Sequence, residues 1–140
     1  PGDVNWDRII PGTIKSLINN KKPILRSNGR FLRDYLFIDD VVNGYIMLGK
    51  AMQNKKVKGI AINFGSGKPI TVLNLVKKML KINNNNSKFY IIKNKAKNEI
   101  KDQYSGYQLA KETIHWKPKI SLEEGLVKTF SWYKKRIKKN

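Results

Sequence analysis

The 140 residues make one domain's worth of chain, and with 40% of them hydrophobic they can bury a modest core, which excludes a disordered polyelectrolyte. The absence of cysteine excludes disulfides and thiolate chemistry, and no apolar run approaches the length of a bilayer span. The formal net charge of +19 invites a nucleic-acid reading, but 24 of the 29 cations are dispersed lysines beside 15 Asn and 17 Ile. All three have A/T-rich codons, and no regular aromatic interleaving makes a stacking platform.

In chain order, Pro1-Gly2-Asp3 reads as a turn, and because residue 1 is proline the chain is expected to be a segment of something longer. Asp7 is expected to cap a helix through about Asn20, with Ile9, Ile10, Ile14, Leu17 and Ile18 as its apolar stripe and Pro11 early enough to be tolerated. Residues 24–26 make a short strand leading into an Asn28-Gly29 turn, where both residues tolerate positive φ. Tyr35, Leu36, Phe37 and Ile38 are dense in strand-favouring types. Asp39 or Asp40 is then expected to cap a helix to about Asn54, with Ile38, Val41, Val42, Tyr45, Ile46, Gly49 and Met52 at helical spacing.

Gly59-Ile60-Ala61-Ile62-Asn63-Phe64 reads as a strand ending in the loop Gly65-Ser66-Gly67. Thr71 should cap the next helix, with Val72, Leu75, Val76, Met79 and Leu80 on one side. A glycine loop before a helix is how anion sites are built, but this spacing is neither the Rossmann nor the P-loop one, so a plain strand–helix connection is expected. Residues 83–86 form a surface loop, 89–92 a strand and 93–102 a charged loop. A helix from Gln108 to about Trp116 ends at Lys117-Pro118-Lys119. Ser121-Leu122-Glu123-Glu124 is a capping box opening a last helix, with Leu126, Val127, Phe130 and Tyr133 along its face. Short strands alternating with helices give an α/β fold class over residues 1–140 as one unit.

Chemistry-bearing residues are few. His115 is the single histidine and is expected to pack beside Trp116, and neither a metal-ligand set nor a catalytic residue is assigned. Arginine is scarce enough to be informative. Arg8, Arg26 and Arg33 carry guanidinium forks suited to bidentate diphosphate recognition, which lysine cannot copy.

The ordered set Pro1-Gly2-Asp3, Asp7-Arg8-Ile9-Ile10-Pro11, Gly29-x-Phe31-x-Arg33-Asp34-Tyr35-x-x-Ile38-x-Asp40-Val41-Val42, Asn63-Phe64-Gly65-Ser66-Gly67, Lys111-Glu112-x-x-x-Trp116-x-Pro118 and Leu122-Glu123-Glu124-Gly125-Leu126 resembles the second half of an extended short-chain dehydrogenase/reductase acting on nucleotide sugars. Gly2-Asp3-x-x-x-Asp7-Arg8-Ile9-Ile10-Pro11 looks most like the CDP-glucose 4,6-dehydratase branch, whereas Arg33-Asp34-Tyr35 is the commoner epimerase/dehydratase form.

The resemblance implies the C-terminal, nucleotide-sugar-binding portion of a Rossmann-type enzyme, a lyase or isomerase of the cytoplasm that acts as a homodimer. Its NAD or NADP is implied to be held by an N-terminal Rossmann half absent from these residues. Carried over, Arg8 and Arg33 would approach the nucleotide and diphosphate, Tyr35 the ribose or diphosphate side, and Ile24, Arg26 and Val72 the base. Lys97 and Glu99 would supply the basic and acidic residues of the following loop. Gly106, Gln108 and Leu109 stand where relatives tend to have Asp followed by a Ser-Lys pair. The family's glycine-rich phosphate loop and catalytic Tyr-x-x-x-Lys pair are not here, and Tyr107 with Lys111 lies far from where that pair belongs. The segment alone is therefore expected to be inactive, with no specific nucleic-acid partner and no membrane association. A basic nucleic-acid-binding module and a non-functional truncated remnant are the alternatives.

Overall fold

In a computed structural model, residues 2–55, 57–84, 88–92 and 100–137 are described. Among these residues, five helices and five two-residue strands follow in the order α1 (Ile9–Ile18), β1 (Ile24–Leu25), β2 (Leu32–Arg33), α2 (Ile38–Ala51), β3 (Ile70–Thr71), α3 (Val72–Ile82), β4 (Tyr90–Ile91), β5 (Asp102–Gln103), α4 (Gln108–Ile114) and α5 (Leu122–Ile137). β1 pairs in parallel with β4. β2 lies between β3, antiparallel to it, and β5, parallel to it, with Leu32 opposite both Thr71 and Asp102.

The larger core joins α1, α3 and α5. Ile14 and Leu17 meet Leu75, Val76, Met79 and Leu80 from α3, and Leu126, Phe130 and Tyr133 from α5. The expected stripes of α1 and α3 therefore face inward, as does that of α5 except for Val127, which is exposed. Two of the expected caps form. Thr71 Oγ1 accepts from the Asn74 N–H at 3.2 Å, and Ser121 Oγ accepts from the Glu124 N–H at 3.1 Å. A smaller cluster of Val57, Ala110, Ile114 and Trp116 lies between α2 and α4.

Four expectations about caps and strands are corrected. Arg8, in extended conformation, precedes α1, and its carbonyl receives the first helical bond from Gly12 at 2.9 Å, so Asp7 is not the cap. Tyr35 to Phe37 form no strand. The Asp34 N–H to the Gln103 carbonyl at 3.2 Å is the last rung of the β2–β5 ladder, and beyond it the segment has no neighbouring strand among the described residues. Phe37 precedes α2 without a side-chain cap, so Asp39 and Asp40 belong to the first turn instead. Residues 59–64 form no strand either.

The Asn28-Gly29 turn is present, and Gly29 alone takes positive φ (+72°). A Cβ there would lie 2.9 Å from the Cβ of Leu73, because the turn sits directly on the start of α3. His115 closes α4 in the left-handed region (φ +56°), so it is exposed beside the buried Trp116 and not packed with it.

Candidate functional site

An open cleft of about 1290 Å³ is lined by several parts of the fold. The loop before α1 supplies Asp3, Trp6, Asp7 and Arg8, and α1 adds its first turns. The β1 region supplies Ile24 and Arg26, and the β2 region Arg33, Asp34 and Tyr35. Val72 and Gln103 contribute from α3 and β5, and α5 closes the cleft with Gly125, Leu126, Thr129 and Tyr133. Six of the residues singled out from the sequence, Arg8, Ile24, Arg26, Arg33, Tyr35 and Val72, thus share one cavity. Lys97 and Glu99 lie outside the described residues.

The charges in the lining are selective. Arg8, Arg26 and Arg33 are its cations and Asp3, Asp7 and Asp34 its anions, and no lysine among the described residues borders it. The three guanidinium groups differ in what they already hold. Arg33 Nη1 donates to the carbonyls of Leu32 (2.7 Å) and Lys101 (3.1 Å), and Nη2 to that of Ile100 (2.8 Å), tying β2 to the strand beside it. Arg8 Nη1 donates to Asp3 Oδ2 at 3.1 Å, and Arg26 Nη2 to Asp7 Oδ1 at 2.5 Å. Both of these pairs are solvated, and each leaves most of the five guanidinium donors unspent on its carboxylate.

Asp3 and Asp7 were not anticipated as partners of these arginines. For Asp3 a local signal exists, since Asp3-x-Asn5 is Asx-turn spacing and the Asn5 N–H donates to Asp3 Oδ1 at 2.9 Å. No local signal announces Tyr133, whose hydroxyl donates to the Asp3 carbonyl across 130 positions. Burial raises the Tyr133 pKa, with the Asp3 carboxylate adding to it and the hydrogen bond to Asp3 opposing it. The phenol therefore remains a proton donor through neutral pH.

The glycine loop does not form an anion cradle. The Ser66 N–H donates to Asp34 Oδ2 at 2.8 Å and the Ser66 hydroxyl to Asp34 Oδ1. At the start of α3 the N–H groups of Val72 and Leu73 donate to the carbonyls of Phe31 (3.1 Å) and Gly29 (2.9 Å), and that of Asn74 to Thr71. These donors are used within the fold. Asp40, buried inside α2, accepts from the N–H groups of Lys119 (3.1 Å) and Ile120 (2.9 Å), which is a structural tie. Among the described residues no cluster of His, Asp or Glu could hold a metal ion, and no helix is long and apolar enough to cross a membrane.

Comparison with known proteins agrees with this architecture. Residues 2–65 match the NAD dependent epimerase/dehydratase family. The UDP-glucuronate 4-epimerase of Thermodesulfobacterium geofontis is 31% identical over 122 residues, covering 86% of this chain and 36% of the relative. The dTDP-D-glucose 4,6-dehydratase of Mus musculus is 28% identical over 141 residues, covering 94% of this chain and 37% of the relative. The chain thus spans a little over a third of the length of these curated relatives.

Among solved structures, a UDP-glucose 4-epimerase of Thermotoga maritima with UDP-glucose superposes with a TM-score of 0.82 at 25% identity, over 93% of this chain and 40% of that one. A dTDP-glucose 4,6-dehydratase of Bacillus anthracis in complex with NAD shares the fold, with a TM-score of 0.81 at 20% identity over 94% of this chain and 40% of that one. By sequence and by fold, the chain belongs to the NAD dependent epimerase/dehydratase family.

Proposed function

We propose that the chain is the nucleotide-sugar-binding portion of an NAD(P)-dependent 4,6-dehydratase or epimerase and grips the nucleotide diphosphate in the cleft. One observation carries this. In a chain whose cations are 24 Lys and 5 Arg, the cleft is bordered by three of the arginines and, among the described residues, by no lysine. Planar forks match a diphosphate's paired oxygens, whereas a field meant for loose polyanion binding would use the abundant residue. Arg8 and Arg26, each spending one nitrogen on a carboxylate, supply the forks. Arg33 holds the wall behind them. Ile24 and Val72 border the base and Tyr35 the ribose side, and Lys97 and Glu99 are carried as further substrate-binding residues from the family motif alone.

The partner is an N-terminal Rossmann half that holds NAD or NADP in a cytoplasmic homodimeric enzyme, and without it the segment binds substrate but does not turn it over. Two surfaces support that partner. Ile38, Val42, Tyr45 and Ile46 present an exposed apolar face on α2. Beside it, Phe64 packs on Tyr45 at 5.6 Å, at the end of the strand-prone but unladdered residues 59–64.

Thermal shift and calorimetry with CDP-, dTDP-, UDP- and GDP-sugars test the proposal and identify the base. One of them should raise the Tm, and Arg8→Lys or Arg26→Lys should weaken its binding about tenfold through loss of the bidentate contact. A cooperatively melting chain that none of the four stabilises would overturn it. So would binding to duplex DNA with a steep salt slope that nucleotide sugars do not compete.

A further inference from the structure

Arg8 lines the cleft with a side chain 70% exposed, and its guanidinium pairs with the Asp3 carboxylate. An exposed ion pair between two mobile side chains would not hold a guanidinium in one orientation. Here, however, the carboxylate belongs to a fixed residue. The Asn5 N–H donates to Asp3 Oδ1 at 2.9 Å, and the Arg8 N–H donates back to the Asn5 carbonyl at 3.1 Å, so Asp3, Asn5 and Arg8 close a small ring. The ring is anchored from outside by α5, where the Tyr133 hydroxyl donates to the Asp3 carbonyl at 2.5 Å. Tyr133 is itself 2% exposed, with its ring 5.7 Å from Trp6 and 4.9 Å from Trp132. Asp3, Arg8 and Tyr133 all line the cleft.

We infer that Tyr133 is a positioning residue for Arg8, acting through Asp3, so that the C-terminal helix sets the orientation of one arm of the anion grip. This rests on the proposed role of Arg8 as a diphosphate ligand. Asp3 occupies Nη1 of the guanidinium and leaves the Nη2 and Nε donors unspent on that carboxylate. Orienting that fork before the ligand arrives removes the ordering cost of one long side chain from binding, which corresponds to about three- to tenfold in affinity.

Tyr133→Phe keeps the aromatic packing and deletes the hydroxyl. Calorimetric titration with UDP should show binding weakened about three- to tenfold, and in an Arg8→Ala background the same substitution should change nothing further. An unchanged Kd, or the same loss in the Arg8→Ala background, would overturn the inference and leave Tyr133 with a packing role.

A second readout needs no ligand. Side-chain 15N relaxation should find the Arg8 guanidinium ordered in the wild type and mobile in Tyr133→Phe, and an unaltered order parameter counts against positioning. If UDP does not bind, the titration uses whichever of the four nucleotide sugars does; if none binds, the proposed function falls, while the relaxation measurement still decides whether Tyr133 positions Arg8. Asp3→Ala retains the carbonyl that Tyr133 bonds and leaves α5 untouched. It should free Arg8 in the same way, and failure to do so sinks the relay even if Tyr133→Phe does not fold.

Discussion

Helices α2 and α3 are built from similar material and sit in opposite surroundings. In α3 the apolar side is closed over, and Leu75, Val76 and Met79 are each 0% exposed between α1 and α5. In α2 several large apolar residues point away from the protein, with Tyr45 65% and Ile46 51% exposed, while the side that packs inward carries Asp40 and Gly44 beside the half-buried Met47 and Leu48. The difference teaches that an apolar stripe at helical spacing identifies a face that needs covering, without saying that the same chain covers it. α3 belongs to a core complete in itself. α2 belongs to a thin cluster around Trp116, and its outer face is what the proposed Rossmann half would bury.

Three substitutions break or sharpen that contrast. Leu75→Ala should have the largest effect, about 2–5 kcal/mol lost in urea denaturation, because it opens a cavity in the closed core. A loss below 1 kcal/mol would mean that the three-helix core is looser than its burial indicates. Asp40→Ala comes next. It strands the N–H groups of Lys119 and Ile120 that hold the α4–α5 connection to α2, at about 1–3 kcal/mol by the same measurement. Equal stability of the two proteins would show that this connection is held by packing alone. Ile46→Ser should do least, within about 0.5 kcal/mol, while reducing dye binding and self-association read by light scattering. If it destabilises the chain as Leu75→Ala does, the outer face of α2 is not a free surface and the contrast collapses.

Much of the fold is legible along the chain where the deciding interaction is local. The Thr71 cap, the Ser121 cap, the end of α1 within two residues of the expected Asn20 and the glycine at position 29 each depend on residues within a few positions. The strands at 35–38 and 59–64 are misread for a nonlocal reason. Strand-prone residues become a strand only when a second segment offers a ladder, and among the described residues neither stretch finds one. Asp39 and Asp40 have the composition of caps, yet α2 begins at Ile38, and the buried Asp40 turns to N–H groups some eighty positions away.

The site divides in the same way. Which arginines would border the cleft was readable from their scarcity among lysines and from the ordered motifs around them. The share each guanidinium spends elsewhere was not. Arg33 holds three backbone carbonyls, Arg8 leans on a carboxylate fixed by Tyr133, and Arg26 crosses to Asp7, which looks in the sequence like a helix cap.

By itself the sequence determined the helices, two of their caps, the lack of cysteine, and a short roster of guanidinium groups, since composition and near-neighbour hydrogen bonding are written in order along the chain. Tertiary structure decided which faces are covered and where each arginine points. Burial and ion pairing join residues up to 130 positions apart, and a donor's final direction depends on which acceptor the folded chain brings within reach.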